Sequence, residues 1–98
     1  MKILQKFLLV LLFGFPIGVL AQISVSGTVI DQTTGLPLPG ASVVIKGTST
    51  GTTTDFDGLY QITANTGDVL QFSYVGFSIL ELTVDGLTLD AALSEDTQ

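Results

Sequence analysis

The residue types that do most enzyme chemistry are missing from this sequence. Its 98 residues include no histidine and no cysteine. That removes the commonest general base, the thiolate nucleophile and the soft metal ligands together. It also rules out a disulfide. The remaining chemistry is oxygen chemistry. Asp55-Phe56-Asp57-Gly58 sets two carboxylates two residues apart, just before a glycine. The start of a calcium loop has this spacing, with alternate side chains turning oxygens to one cation. A full loop closes with a bidentate Glu at its twelfth position. Counted from Asp55, that position is Thr66, which has only a hydroxyl. Asp55 and Asp57 are therefore weak metal candidates. A turn in which Asp bonds its own downstream backbone is the favoured reading.

The Ser/Thr-rich stretch 48–54 offers hydroxyl nucleophiles, but no histidine and no clear lysine base is there to activate one. Gly47-Thr48-Ser49-Thr50-Gly51 lacks the Gly-Lys-Ser/Thr ending of a phosphate loop. The pairs Asp55/Asp57 and Glu95/Asp96 could share acid–base work only inside a cleft, and nothing in the sequence puts them in one. Tyr60, Phe72 and Tyr74 follow strand alternation and are assigned to the core. Phe56, a turn residue between two aspartates, is the aromatic expected in solvent. The surface assigned to contacts is the loop carrying Thr48, Ser49, Thr50 and Phe56.

Short strands must hold these residues in place. From Ile23 onward, Thr, Val and Ile are frequent, and branched residues suit a pleated surface better than a helix. Period-two alternation marks the segments. Residues 24–30 put Val25, Gly27 and Val29 on one face. Residues 41–46 put Ala41, Val43 and Ile45 inward, and residues 52–54 form a short edge strand. Residues 59–63 pair Tyr60 with Ile62, and residues 69–74 align Leu70, Phe72 and Tyr74. Residues 77–84 read as the longest strand, with Ser78, Leu80, Leu82 and Val84 buried. Residues 87–93 alternate most cleanly, with Leu87, Leu89, Ala91 and Leu93 opposite Thr88, Asp90 and Ala92. Six or seven strands at this spacing predict an all-β fold, a small antiparallel β-sandwich.

The turns between them are structural. Gly35, Pro37, Pro39 and Gly40 punctuate the first long connection, where a proline cannot donate to a ladder. Gly47 opens the Ser/Thr loop. Asp55 and Gly58 set the turn before Leu59, and Gly67 and Gly86 mark two more. Val75-Gly76 reads as a bend or bulge short of a full reversal. The tail, residues 94–98, is polar and expected to fray.

The N-terminus has a different composition. Residues 1–6 carry Lys2 and Lys6 and no acid, and residues 7–20 are an apolar run. Val19 and Ala21 suit the −3 and −1 positions of a secretory signal cleaved before Gln22. A membrane anchor is the competing reading, but spanning needs about 20 apolar residues, and Gly14, Pro16 and Gly18 weaken this run. Residues 1–21 are thus a signal peptide, residues 22–93 the domain and residues 94–98 the tail. After cleavage one base, Lys46, faces nine acids, a net charge of −8. Nucleic-acid binding needs clustered cations and is excluded.

The ordered series Val25-Ser26-Gly27-Thr28-Val29, Gly35-Leu36-Pro37-Leu38-Pro39-Gly40-Ala41, Lys46-Gly47-Thr48, Gly51-Thr52, Asp55-Phe56-Asp57-Gly58 and Tyr74-Val75-Gly76-Phe77 resembles a known family. It is similar to the carboxypeptidase-regulatory-like domain at the N-terminus of SusC/RagA-type TonB-dependent outer-membrane transporters of Bacteroidota-type bacteria. The resemblance implies a transthyretin-like, seven-stranded β-sandwich, mostly structural motif residues, no catalytic residues and no cofactor. It implies partners in the rest of the transporter and its periplasmic energising machinery, and a place on the periplasmic face of the outer membrane. Family members continue into a TonB-contacting stretch, a plug and a barrel, so the expectation is part of a transporter. The alternative is a free-standing secreted or periplasmic module that binds a glycan or a protein.

Overall fold

A computed structural model describes residues 22–96. Residues 1–21 and 97–98 lie outside the described residues, and the export-signal reading lies there with them. Among the described residues, seven strands follow one another without a helix: β1 (Gln22–Asp31), β2 (Ser42–Ile45), β3 (Gly51–Thr53), β4 (Leu59–Asn65), β5 (Val69–Ser73), β6 (Leu80–Thr83) and β7 (Ala91–Leu93). They form two sheets, ordered β4-β1-β7 and β3-β2-β5-β6. The domain is a small β-sandwich.

Alternation drives the packing, because a strand sends every second side chain to the same face. Val25 and Val29 on β1, Tyr60, Ile62 and Ala64 on β4, and Ala91 and Leu93 on β7 turn inward from one sheet. Val43 and Ile45 on β2 and Leu70 and Phe72 on β5 meet them from the other. The rings of Tyr60 and Phe72 bridge the sheets edge to face, with centroids 5.5 Å apart. That pairing adds about 1 kcal/mol beyond the area it buries.

Four of the five strand pairings are antiparallel, but β7 runs parallel to β1, with Val29 opposite Ala91 and Asp31 opposite Leu93. β7 returns from the far sheet by a crossover, so it enters beside β1 in the same direction. The crossover is stitched to β1 before β7 begins: Ser26 N–H donates to Leu87 O, and Leu89 N–H donates to Ser26 O, both at 2.9 Å.

Several expectations change. First, regular strand in residues 77–84 is confined to Leu80–Thr83. Ile79 is exposed, and Ser78 is exposed rather than buried. Second, Tyr74-Val75-Gly76-Phe77 is a complete reversal. Phe77 N–H donates to Tyr74 O at 3.0 Å, and Gly76 takes φ 84°. A positive φ at the third turn residue fits Gly there. Third, strand order in residues 87–93 begins only at Ala91, and Leu87 is exposed because its backbone pairs with β1 without its side chain facing the core. The tail is tied as far as Asp96: Ser78 N–H donates to Ser94 O, and Asp96 N–H donates to Gly76 O.

Candidate functional site

The candidate turn, metal and contact residues lie outside the strands, in the connections between them. Asp55 closes the link from β3 to β4. Its Oδ1 accepts the N–H groups of Asp57 and Leu59, both at 2.9 Å. Its own N–H donates to Leu59 O, and its carbonyl accepts from Gly58 N–H. The side chain thus acts as a surrogate carbonyl that locks the turn. Asp57 is exposed, and Phe56 stands 92% exposed at the tip. No group of three potential metal ligands converges among the described residues.

Thr48, Ser49 and Thr50 form the β2–β3 turn. Gly47 takes φ 83°, and the Thr48 hydroxyl donates to Ile45 O at 2.9 Å while accepting Thr50 N–H at 3.1 Å. The Thr48 hydroxyl thus closes its own turn. Thr48 and Thr50 line a hollow of about 430 Å³ with Gln22, Lys46 and Asn65. Asp55 lines a different one of about 540 Å³, with Ser26, Tyr60, Gln61 and Asp90. Ser49 and Phe56 line neither of these two hollows.

Gly35, Pro37, Pro39 and Gly40 shape the β1–β2 connection, which folds back on the end of β1. Ile30 and Pro37 lie opposite each other. The two bonds of that bridge come from Asp31 N–H to Leu36 O and from Leu38 N–H to Val29 O. Pro37 needs no N–H in that register, which is why a proline fits.

One residue that carries structure was not singled out from the sequence, and another has a second role. Thr54 is buried, and its hydroxyl accepts Ala41 N–H at 2.8 Å and donates to Leu38 O. It pins the long β1–β2 connection against β3. Its partners are 13 and 16 residues away, so no local pattern marks it. Tyr60 was assigned to the core, but its hydroxyl also donates to Leu89 O and fixes the crossover.

Burial, reinforced by the nearby Asp90 carboxylate, pushes the Tyr60 hydroxyl up to about 12 from an ordinary 10.0. The unfolded chain therefore ionises first. The stability Tyr60 adds is complete below pH 10 and is lost as pH rises from there towards about 12. Tyr60→Phe is expected to cost about 1–2 kcal/mol at neutral pH, for the lost bond to Leu89 O. Its melting temperature is expected to fall less steeply than that of the wild type above pH 10. Thermal melts of both proteins across that range check this, and parallel curves overturn it.

On the outer face of the β2-β5-β6 sheet, Gln71 Nε2 donates to Glu81 at 2.7 Å and Lys46 Nζ pairs with it at 3.2 Å. The Gln71 amide first, and then the Lys46 ammonium, hold the Glu81 carboxyl below its ordinary range. All three are solvated, and such a pair contributes little to stability.

The Asp55 and Thr48 side chains are thus bonded to the backbone of their own turns. The chain belongs to the CarboxypepD_reg-like domain family, whose model matches residues 25–97. Among similar proteins, the TonB-dependent receptor SusC of Bacteroides thetaiotaomicron is 45% identical over 96 residues, covering 95% of this chain and 9% of that receptor. A TonB-dependent receptor of Formosa agariphila is 54% identical over 77 residues, covering 78% of this chain and 8% of its own length. The chain thus spans less than a tenth of the length of these relatives. Among solved structures, a Bacteroides fragilis protein of unknown function shares the fold, with TM-score 0.57 at 22% identity over 80% of this chain and 29% of that one. The cohesin–X-dockerin complex of Acetivibrio cellulolyticus matches with TM-score 0.52 at 25% identity, over 72% of this chain and 51% of the other.

Proposed function

We propose that this chain is a non-enzymatic accessory module at the N-terminus of a SusC/RagA-type TonB-dependent outer-membrane nutrient transporter, on the periplasmic side of that membrane. One observation carries the reading: 95% of the chain aligns at 45% identity with a receptor of which it covers 9%. The module's role is contact and spacing between the receptor and its energising machinery. The turn chemistry supports a structural role, because Asp55 and Thr48 are occupied by backbone partners. The acidic surface of residues 22–98, with Lys46 as the lone base, is suited to solubility in a crowded aqueous space. A glycan site at Thr48, Ser49, Thr50 and Phe56 is not part of this proposal.

Residues 1–21 serve as the export signal in this reading, so β1 supplies the mature N-terminus at Gln22. N-terminal sequencing of the exported protein is expected to start at Gln22, and an intact Met1 overturns that step. Sequencing the reading frame beyond Gln98 tests the receptor assignment. An open frame encoding a plug and a barrel is expected. A stop codon followed by unrelated sequence overturns it.

A further inference from the structure

The outer edge of β4 is open along its middle and closed by a carboxylate at each end. β4 is the longest strand at a sheet edge, with 7 residues against 3 or 4 for β3, β6 and β7. Val29 N–H donates to Gly58 O, and antiparallel bonding alternates from there along the ladder. Tyr60, Ile62 and Ala64 therefore bond β1, while Leu59, Gln61, Thr63 and Asn65 turn their N–H and C=O groups the other way. The two outermost of these are already served. Leu59 N–H donates to Asp55 Oδ1 and its carbonyl accepts Asp55 N–H, both at 2.9 Å. Asn65 N–H donates to Asp68 Oδ2 at 2.9 Å, and its carbonyl accepts Asp68 N–H at 3.0 Å. Between them, Gln61 and Thr63 meet no further strand among the described residues. An edge with free N–H and C=O groups is a template for another chain.

We propose that the β4 edge binds an extended segment of another protein that carries a Lys or Arg at each end of the paired stretch. The segment adds as a strand, exchanging backbone bonds with Gln61 and Thr63, and its cations face Asp55 and Asp68. Leu59 to Asn65 is roughly 20 Å of strand, which sets the spacing of the two cations. Charge selects this occupant over a second copy of the chain. Two copies paired edge to edge about Ile62 set Leu59 opposite Asn65. One copy's Asp55 then meets the other's Asp68, and this happens at both ends. Like charges so placed repel, and each copy carries a net −8 over residues 22–98. Exposed Asp57 adds a further carboxylate next to Asp55. Lys46 lines the hollow beside Thr63 and Asp68, but its ammonium pairs with Glu81 on the other sheet. The inference needs only this domain and does not depend on the receptor reading.

Amide hydrogen exchange on the full chain, read residue by residue, is the test. The probe is the end-blocked peptide Lys-Thr-Val-Thr-Val-Thr-Lys, with Glu-Thr-Val-Thr-Val-Thr-Glu as its control. In the chain alone, the Gln61 and Thr63 amides are expected to exchange fast and the Ile62 amide slowly. The Lys peptide, at about ten times its Kd, is expected to slow Gln61 and Thr63 about tenfold. The Glu peptide is expected to leave them unchanged. Asp55→Asn with Asp68→Asn keeps an oxygen acceptor at both ends and removes the charge. That variant is expected to bind the Lys peptide about fivefold more weakly. No slowing by the Lys peptide overturns the inference. Equal slowing by the Glu peptide, or equal affinity of the double variant, overturns it too. So does slow exchange of Gln61 and Thr63 without any peptide. If that protection fades on dilution, the edge belongs to a second copy. If it persists, the chain covers its own edge.

Discussion

Replacing Gly27 with alanine is expected to cost about 3–5 kcal/mol, about half of the roughly 5–10 kcal/mol a domain of this size possesses. Gly27 lies inside β1 and its φ is not positive, so conformational freedom is not why glycine stands there. The reason is a close backbone approach. A Cβ at Gly27 would lie 2.0 Å from Leu89 O, 2.7 Å from Leu89 C and 3.0 Å from Tyr60 Cε1. Leu89 cannot retreat cheaply. Its N–H donates to Ser26 O, and its carbonyl accepts the Tyr60 hydroxyl. Relieving the clash means lifting the crossover off β1 and opening the buried β1–β7 pairing behind it. Gly86→Ala is the matched control, in the same crossover. No heavy atom lies within 4 Å of a Cβ there and φ is not in the left-handed region. That variant is expected to be neutral or to gain about 0.4–1 kcal/mol through the unfolded chain. Denaturant midpoints for the three proteins check both outcomes. A Gly27→Ala midpoint close to the wild type would mean that residues 87–90 do not lie against β1.

The same contact shows what the sequence could and could not reveal. Alternation at Val25/Gly27/Val29, Ala41/Val43/Ile45, Tyr60/Ile62 and Leu70/Phe72 is a local signal, and these positions are the buried face. Residues 77–79 and 87–90 alternate just as well, yet they pair through isolated bridges with a tail and with β1. Their partners are remote, so no window of a few residues records them. The parallel entry of β7 beside β1 was hidden for the same reason. Thr54 is the sharpest case, since in sequence it reads as one more β-branched residue of an edge strand. Only the distant Leu38 carbonyl and Ala41 N–H give its hydroxyl a buried role. At the turns the balance is reversed. Asp55 and Gly58 were legible because an Asx turn and a positive-φ glycine are properties of four consecutive residues.

That turn gives the second large effect. Gly58→Ala is expected to destabilise by about 3–4 kcal/mol, from two independent penalties. Gly58 takes φ 76°, which an alanine adopts only with strain. An added Cβ would also meet Val29 O at 2.7 Å and Pro37 Cβ at 2.8 Å. The first contact matters more, because Val29 N–H donates to Gly58 O at 2.8 Å and Leu38 N–H donates to Val29 O. The alanine therefore pushes on the backbone where β1, the β1–β2 connection and the Asp55 turn meet. Variants at Asp55 then separate the two chemical readings of the motif. Asp55→Asn keeps an oxygen able to accept the N–H groups of Asp57 and Leu59, so it is expected to hold most of the stability. Asp55→Ala removes that acceptor and is expected to cost about 1–2 kcal/mol. A structural turn is indifferent to calcium, whereas a metal site is stabilised by mass action as the ion is added. Melts of the wild type and Asp55→Asn are thus expected to coincide with and without calcium. A wild-type melting temperature that rises with calcium, and an Asp55→Asn protein that does not follow, would return Asp55 and Asp57 to the role of ligands.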